Sequence, residues 1–247
     1  MKVGRGSSPS GSAIWYSTDD GKAFYEFDPE TLRKGSEIQV KRLLAPALPS
    51  KIVAVGLNYR DHAHEVGLAT PKEPIIFLKP ATGVIGPGED IIYPAQSGRV
   101  DYEAELGVVI SRRCRNVKAG QAKDIIFGYT CFNDVTARDL QATDGQWTRA
   151  KSFDTFAPMG PWIATDIEDP HALAITARLN GQTKQSSSTA NLIFTVFDLV
   201  EFISSVMTLE RWDVIATGTP AGIGPMDRGD EIQVAIEGIG ILTNKVA

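Results

Sequence analysis

The most informative stretch of this sequence reads Tyr102-Glu-Ala-Glu-Leu-Gly-Val-Val-Ile110. Its apolar second half predicts a strand that enters the protein core. Glu103 and Glu105 then project from the same face, because side chains alternate along a strand. Two neighbouring carboxylates repel each other, and burying them is costly unless protons or a cation compensate. The stretch therefore predicts a buried cation site or, with roughly equal weight, an exposed polar strand face.

Other short apolar segments on both sides of this stretch also predict strands. They are Lys51–Gly56, Ile75–Leu78, Ile91–Tyr93, Ile125–Asn133, Leu173–Leu179, Asp213–Thr217 and Glu231–Ile236. Asn180-Gly181 follows one of them and indicates a tight hairpin, since both turn positions need a positive φ. Apolar residues with helical spacing predict one helix, Thr195–Met207, with Thr195 and Asp198 as a capping pair. Strands outnumber helices and do not alternate with them, so the fold class is β-rich α+β.

The sequence divides near residue 48. Residues 1–48 predict a small β-rich segment, in which Ala13–Tyr16 and Ala23–Phe27 pair across the polar turn Asp19-Asp20-Gly21. Pro46 and Pro49 then precede the apolar run that begins at Lys51. Residues 49–247 are expected to form the main domain.

Composition excludes several classes of protein. The chain of 247 residues has 25 basic and 30 acidic residues, a net charge of −5, which disfavours nucleic-acid binding. No apolar stretch is long enough for a membrane span, and the Gly- and Ser-rich N-terminus is not a secretory signal. Two cysteines, Cys114 and Cys131, match neither a disulfide framework nor a zinc site. A cytoplasmic location is expected.

Asp134 ends a second apolar run and is the candidate third ligand beside Glu103 and Glu105. Three carboxylates without nearby His or Cys favour a hard cation. Arg138 and Gln141 follow Asp134 at spacings of four and seven, which would place all three on one helical face. Such a face offers a cation and an amide to an anionic ligand. The alternative is a solvated start of a helix.

Acid–base and oxyanion candidates occur elsewhere in the sequence. His62 and Glu65 are three residues apart, so on a helical turn the carboxylate can orient the imidazole. Gly218 lets the backbone approach a ligand closely, and N–H groups around Thr219 could bind an oxyanion. Lys151 lies between a polar loop and an aromatic stretch. Each has a simpler interpretation: an exposed histidine, an ordinary turn and a surface lysine.

Taken in order, these segments resemble the fumarylacetoacetate hydrolase family over about residues 50 to 245. The similar stretches are Val53–His62 with Glu65, Phe77–Pro80, Asp101–Gly107, Asn133–Asp139, Ala150–Phe153 and Thr217–Pro220. The resemblance implies a mixed β-roll fold, a homodimer, and Mg²⁺ or Mn²⁺ bound by Glu103, Glu105 and Asp134. It also implies that His62 and Glu65 form an acid–base dyad. Arg138, Gln141, Lys151 and Thr219 would then contact the substrate and an oxyanion.

Two differences from the family place the chain in a particular branch. The N-terminal part is short, and no acidic residue lies between Ile52 and Leu57 to provide a further aspartate ligand. The chain is closer to the acylpyruvase, oxaloacetate decarboxylase and 2-hydroxyhepta-2,4-diene-1,7-dioate isomerase branch. The leading hypothesis is metal-dependent hydrolysis of an acylpyruvate or decarboxylation of oxaloacetate. The alternatives are an isomerase or tautomerase of a dicarboxylic keto acid, and a non-catalytic domain stabilised by its cation.

Overall fold

A computed structural model describes residues 1–247. Its strands are β1 (Lys2–Ser7), β2 (Ala13–Thr18), β3 (Phe24–Asp28), β4 (Arg33–Ile38), β5 (Arg42–Leu44), β6 (Lys51–Val55), β7 (Ile76–Pro80), β8 (Val84–Ile85), β9 (Val100–Tyr102), β10 (Ala104–Ile110), β11 (Ile126–Asn133), β12 (Thr136–Ala137), β13 (Ala157–Ala164), β14 (Ala174–Leu179), β15 (Gln182–Ser188), β16 (Val214–Ala216), β17 (Gly224–Met226), β18 (Glu231–Ile236) and β19 (Gly240–Lys245). The α-helices are α1 (Arg60–Glu65), α2 (Arg138–Asp144), α3 (Thr148–Lys151) and α4 (Val196–Val206). The predicted β-rich α+β class is confirmed.

A 12-stranded mixed sheet forms the centre of the fold, with strand order β4-β3-β2-β1-β13-β11-β10-β16-β6-β7 and with β5 and β8 paired to its sides. Every residue of β10 is buried, and apart from Glu105 the strand is a continuous apolar run, as expected for a strand inside a sheet. β10 pairs antiparallel with β11 on one side and with β16 on the other. The sheet thereby brings the ends of β10, β11 and β16 close together.

Two smaller sheets complete the fold. One has the order β12-β9-β17 and the other the order β15-β14-β18-β19. The hairpin between β14 and β15 is confirmed, since Asn180 and Gly181 have φ angles of 51° and 78°. This is the backbone conformation that a tight two-residue turn requires.

The N-terminal strands extend the large sheet. β2 and β3 pair as predicted, with Tyr16 opposite Glu26 and Ser17 opposite Tyr25. β1 pairs with β13, so the N-terminal segment is hydrogen-bonded to the rest of the protein. The division of the chain near residue 48 stays a prediction.

The main core contains 39 buried apolar residues and receives one face of α4. Val196, Leu199, Val200 and Ile203 of this helix are buried, as the helical spacing predicts, whereas Val206, which the spacing places on the same face, is exposed at the end of the helix. The predicted capping pair is also confirmed: Thr195 accepts a hydrogen bond from the Asp198 backbone, and Asp198 accepts one from the Thr195 backbone. No helix in the chain combines the length and apolar character needed to cross a membrane.

Two strand predictions were wrong in detail. Ile91–Tyr93 is not a strand, and Ile91 forms only an isolated bridge with Val246. The predicted strand from Tyr102 to Ile110 is interrupted at Glu103, between β9 and β10. The reason is that the Glu103 N–H donates to the side-chain Oδ1 of Asn133, at 2.9 Å, while the chain passes from one sheet to another.

Candidate metal centre and active site

Three carboxylates converge where β10 and β11 meet. Glu103 lies in the interruption before β10, Glu105 lies on β10, and Asp134 directly follows β11. One oxygen from each carboxylate lies within 4.8 Å of the others, and all three residues are buried. The Asp134 N–H donates to the Glu103 carbonyl at 2.9 Å, which joins the two segments. The alternative prediction, that Glu103 and Glu105 lie on an exposed polar face, was wrong, because both side chains are buried.

Two buried lysines pair with these carboxylates. Lys151 Nζ donates to Glu103 Oε2 at 2.8 Å and to Asp134 Oδ2 at 2.6 Å. Lys79 Nζ donates to the other oxygen of the Asp134 carboxylate, Oδ1, at 2.5 Å and to the Val135 carbonyl at 3.2 Å. Lys151 is therefore not the surface residue that its position in the sequence allowed, and each oxygen of Asp134 has its own ammonium partner.

The pKa values of these groups show how burial and charge compete. Burial raises the pKa of Glu105 well above its usual range, and the neighbouring charges of Asp134 and Glu103 raise it further. Burial also opposes ionisation of Glu103, but Lys151 and Arg138 outweigh it and lower the pKa of Glu103 to about 2. For Lys151, burial lowers the pKa, yet Asp134 and Glu103 outweigh burial and raise it above its usual value. Glu105 is therefore the one carboxylate of the three that has no cationic side chain paired with it.

The donor set fits a hard divalent cation. The carboxylates of Glu103, Glu105 and Asp134 supply only oxygen donors, the type that Mg²⁺ and Mn²⁺ prefer. Their spacing allows all three to reach one ion. The raised pKa of Glu105 also indicates a carboxylate that another positive charge would stabilise in its ionised form. These residues can therefore bind a divalent metal.

Arg138 and Gln141 lie beside the acidic triad, although not as the sequence spacing suggested. Helix α2 begins at Arg138, so the prediction that Asp134 shares its helical face was wrong. Asp134 precedes the short strand β12, whose pairing with β9 separates it from the helix. The guanidinium of Arg138 donates to Asp101 Oδ2 at 2.9 Å, to Glu103 Oε1, and to Gln141 Oε1 at 2.5 Å.

The His62–Glu65 pair lies on helix α1, and His62 lines the same cavity as Glu103 and Glu105. His62 Nδ1 and Glu65 Oε2 are 2.9 Å apart. Glu65 is itself held by the Gly222 N–H, which donates to Glu65 Oε1 at 3.0 Å. The histidine side chain is 13% exposed and the glutamate 39%, so the pair connects the cavity with solvent.

Gly218 and Thr219 follow β16 and reach the site by different contacts. The Gly218 N–H donates to Glu105 Oε2 at 2.8 Å, so it holds a candidate metal ligand. Gly218 has a φ of 98°, a conformation that favours glycine. Thr219 lines the cavity, and its Oγ1 accepts a hydrogen bond from Gln185 Nε2 at 2.8 Å.

Several buried polar residues of the site had no predicted role. Lys79 is a charged residue in the apolar strand β7, and such a residue is itself a signal, because buried charges need partners. Asp101 is buried and accepts hydrogen bonds from Arg99 and Arg138. Gln185 accepts a hydrogen bond from the Ala104 N–H at 2.9 Å, and nothing in its sequence context indicates this contact.

Comparison with known proteins identifies the family. Residues 51–247 match the model for the fumarylacetoacetate (FAA) hydrolase C-terminal domain. An uncharacterised protein of Archaeoglobus fulgidus is 60% identical, over 89% of this chain and 89% of the relative. The mitochondrial oxaloacetate tautomerase of Rattus norvegicus is 42% identical, over 84% of this chain and 70% of the relative. The crystal structure of a 5-carboxymethyl-2-hydroxymuconate delta-isomerase from Mycobacterium smegmatis is 44% identical, with a TM-score of 0.92 over 100% of this chain and 99% of that one. The chain belongs to the fumarylacetoacetate hydrolase family.

Proposed function

We propose that this enzyme binds a small keto acid beside Mg²⁺ or Mn²⁺ and catalyses proton transfer at the carbon next to the keto group. The observation that carries the proposal is one cavity lined by Glu103, Glu105, Lys151 and His62. Two candidate metal ligands, a fixed cation and a histidine thus face the same small volume. A merely structural cation would need neither Lys151 nor His62 there.

The metal ion, when bound, supplies a Lewis acid that favours the enolate form of a keto acid. Glu103, Glu105 and Asp134 would hold it. The ammonium of Lys151 is positioned to donate a hydrogen bond to the oxygen on which negative charge develops. Arg138 and Gln141 line the cavity where they can orient the substrate carboxylate.

His62 is the group that moves the proton. With Glu65 Oε2 accepting a hydrogen bond from Nδ1–H, the other ring nitrogen, Nε2, is the basic one. His62 can then remove a proton from one face of the substrate and return it. Glu65 keeps the imidazole oriented, and Gly222 keeps Glu65 in place.

Tautomerisation of oxaloacetate is the reaction that we place first, because it needs only this proton transfer. A relative at 42% identity is named an oxaloacetate tautomerase, which supports the same substrate here. Hydrolysis of an acylpyruvate or decarboxylation of oxaloacetate, the leading hypothesis from the sequence, is the second candidate. Its support is the partial exposure of the His62–Glu65 pair, which gives water access to a base.

The experiment is an assay of the purified protein with Mg²⁺ or Mn²⁺ and, separately, with a chelator. Loss of the enol absorbance of oxaloacetate without formation of pyruvate identifies tautomerisation, and pyruvate formation identifies decarboxylation. Acetylpyruvate tests hydrolysis. Glu103→Ala/Glu105→Ala should abolish metal-dependent turnover, and His62→Ala should lower kcat by about 10²-fold or more. Full activity of either variant would overturn the proposal.

We further propose that the enzyme is a homodimer and acts in the cytoplasm. The first part rests on the resemblance to the family and the second on the absence of disulfide-type cysteine usage in the sequence. Sedimentation equilibrium of the metal-loaded protein would test the dimer, and a single species at 26.7 kDa would contradict it.

A further inference from the structure

The cavity beside the acidic triad has an apolar side that the proposed chemistry does not use. Its volume is about 270 Å³, which is small for an enzyme pocket. We use the term apolar wall for six of its lining residues, Leu57, Val66, Leu68, Phe77, Trp147 and Ile223. The remainder of the lining is mainly the polar set that the proposed function assigns to the metal and the keto acid.

Contacts between side chains show that the apolar wall begins directly beside Lys151. Its Nζ lies 5.1 Å from the centre of the Phe77 ring. The Phe77 ring in turn meets Trp147 edge to face, with centroids 5.2 Å apart and an interplanar angle of 81°. The indole of Trp147 packs on Gly56, where an added Cβ would lie 3.0 Å from the ring. Two aromatic rings in contact with each other therefore line the cavity beside Lys151.

The cations of the cavity are all engaged at its polar side. Arg138 and Lys151 are the lining residues with a permanent positive charge. Arg138 is paired with Asp101 and Glu103, and Lys151 with Glu103 and Asp134. No other lysine or arginine lines the cavity. A carboxylate placed against Phe77 or Trp147, which are both half-buried, would lose part of its water and gain no counter-ion, which is unfavourable.

We propose that the apolar wall selects keto acids whose distal group is uncharged and rejects those with a distal carboxylate, with Trp147 as a specificity-determining residue. This inference rests on the proposed function for the position of the keto acid head. Oxaloacetate satisfies it, because its second carboxylate is bonded to the carbon next to the keto group. Both of its carboxylates can stay at the polar side. Extended dicarboxylates such as 2-hydroxyhepta-2,4-diene-1,7-dioate do not satisfy it.

The test compares two ligands that differ only in distal charge. Succinylpyruvate ends in a carboxylate, and 4-methylpentanoylpyruvate carries an isopropyl group of similar shape at that position. Calorimetric titration of the Mn²⁺-loaded enzyme should give a Kd for the uncharged ligand at least about tenfold lower, because burying the carboxylate lacks compensation. Equal affinities, or tighter binding of succinylpyruvate, would overturn the inference.

Two variants at one position separate charge from shape. Trp147→Met removes the ring without adding charge and should keep the preference for the uncharged ligand. Trp147→Arg supplies the missing cation and should shift the ratio of the two Kd values by about tenfold or more toward succinylpyruvate. If both variants give the same ratio, Trp147 does not determine specificity. Circular dichroism establishes that each variant is folded, and the wild-type comparison does not depend on them.

Binding and turnover distinguish this inference from the proposed function. Selective binding without any metal-dependent turnover of oxaloacetate or an acylpyruvate would refute the proposed function and leave the apolar wall intact. Turnover of oxaloacetate together with a preference for the extended dicarboxylate would refute the inference alone. Failure of the enzyme to bind either ligand in the presence of Mn²⁺ would refute both.

Discussion

Lys79 and Lys151 each hold one oxygen of the Asp134 carboxylate. Only Lys151 lines the cavity, so Lys79 acts from behind the carboxylate. Buried ion pairs contribute little net stability when compared with apolar residues, but breaking one leaves an uncompensated charge in the interior. At the scale of single residues, the site is therefore an arrangement of buried charges that depend on one another.

Replacing Lys79 by Met should destabilise the metal-free protein by about 3–5 kcal/mol, since Asp134 Oδ1 loses its buried partner. The measurement is the free energy of unfolding in urea. Lys118→Met is the matched control, because Lys118 pairs with Glu201 at 3.0 Å on the surface. That variant should leave stability nearly unchanged, because solvent screens an exposed ion pair. Similar values for the two variants would contradict the structural role of Lys79.

The two cysteines should differ in reactivity toward an alkylating reagent. Burial raises the pKa of the Cys131 thiol from 9.0 to about 12, and Cys131 is fully buried, whereas Cys114 is partly exposed. At pH 9 the reagent should modify Cys114 slowly and Cys131 only after unfolding, because the thiolate is the nucleophile. Mass spectrometry of the labelled peptides measures this. Labelling of Cys131 in the native protein at a rate comparable with that of Cys114 would refute the prediction.

Cys131 also affects how the free energy of unfolding changes with pH. Below pH 9.0 the Cys131 thiol is protonated in both the folded and the unfolded state. As pH rises from 9.0 toward about 12, the thiol ionises only in the unfolded state, so the free energy of unfolding falls. Cys131→Ala should therefore make the free energy of unfolding less dependent on pH in this range.

At the scale of elements, the segment between β16 and β17 connects the dyad to the sheets. Gly222 donates its N–H to Glu65, and its carbonyl accepts a hydrogen bond from the Tyr102 hydroxyl at 2.9 Å. Its φ of 97° favours glycine, and an added Cβ would lie 2.2 Å from the Lys184 carbonyl oxygen. The segment thus requires both the conformation and the small size of glycine.

Gly222→Ala should reduce stability and activity more than Gly181→Ala. Both glycines have a positive φ, but the space around Gly181 is open, so that variant has only the backbone cost of about 1 kcal/mol. In Gly222→Ala the added Cβ also collides with the Lys184 carbonyl, which displaces the N–H that holds Glu65. Urea unfolding and the oxaloacetate assay measure the two effects. Equal losses in stability, with kcat unchanged in both variants, would show that Gly222 does not position the dyad.

At the scale of the whole molecule, the acidic triad depends on the register of the large sheet. β10 pairs with β11 so that Ala104 lies opposite Asn133, which places Glu103 and Glu105 beside Asp134. β16 pairs with the other edge of β10 and delivers Gly218 to Glu105. A bound divalent metal would therefore connect segments that are about thirty residues apart, and it should stabilise the entire fold.

Mg²⁺ or Mn²⁺ at 100 times its Kd should stabilise the protein by about 2.7 kcal/mol. For a chain of this size that corresponds to a rise in Tm of roughly 5–10 °C. Glu105→Gln should remove the rise while leaving the metal-free protein at least as stable, because Glu105 is repelled by Asp134 and Glu103. Glu201→Gln, at a partly exposed position, should keep the rise. A full rise in Tm for Glu105→Gln would exclude this residue as a ligand.

The sequence by itself determined the features that depend on residues close together in the chain. The helix Val196–Val206 with its Thr195–Asp198 capping box and the turn at Asn180-Gly181 are local, since spacing and backbone preference specify them. The His62–Glu65 contact is local for the same reason, because residues three apart meet on a helical turn. The acidic triad could be predicted only as candidates, from alternation along one strand and the position where a second run ends.

Only the tertiary structure decided how these candidates combine. The interruption at Glu103, the second lysine at Asp134 and the contact of Gly218 with Glu105 all join segments far apart in the chain. Strand register sets such contacts, and register depends on the packing of the whole sheet rather than on any one strand. The two glutamates of Tyr102–Ile110 are therefore only part of the site, and strand periodicity could not identify the residues that complete it. Burial then made the charges interdependent, because a carboxylate in the interior requires a partner.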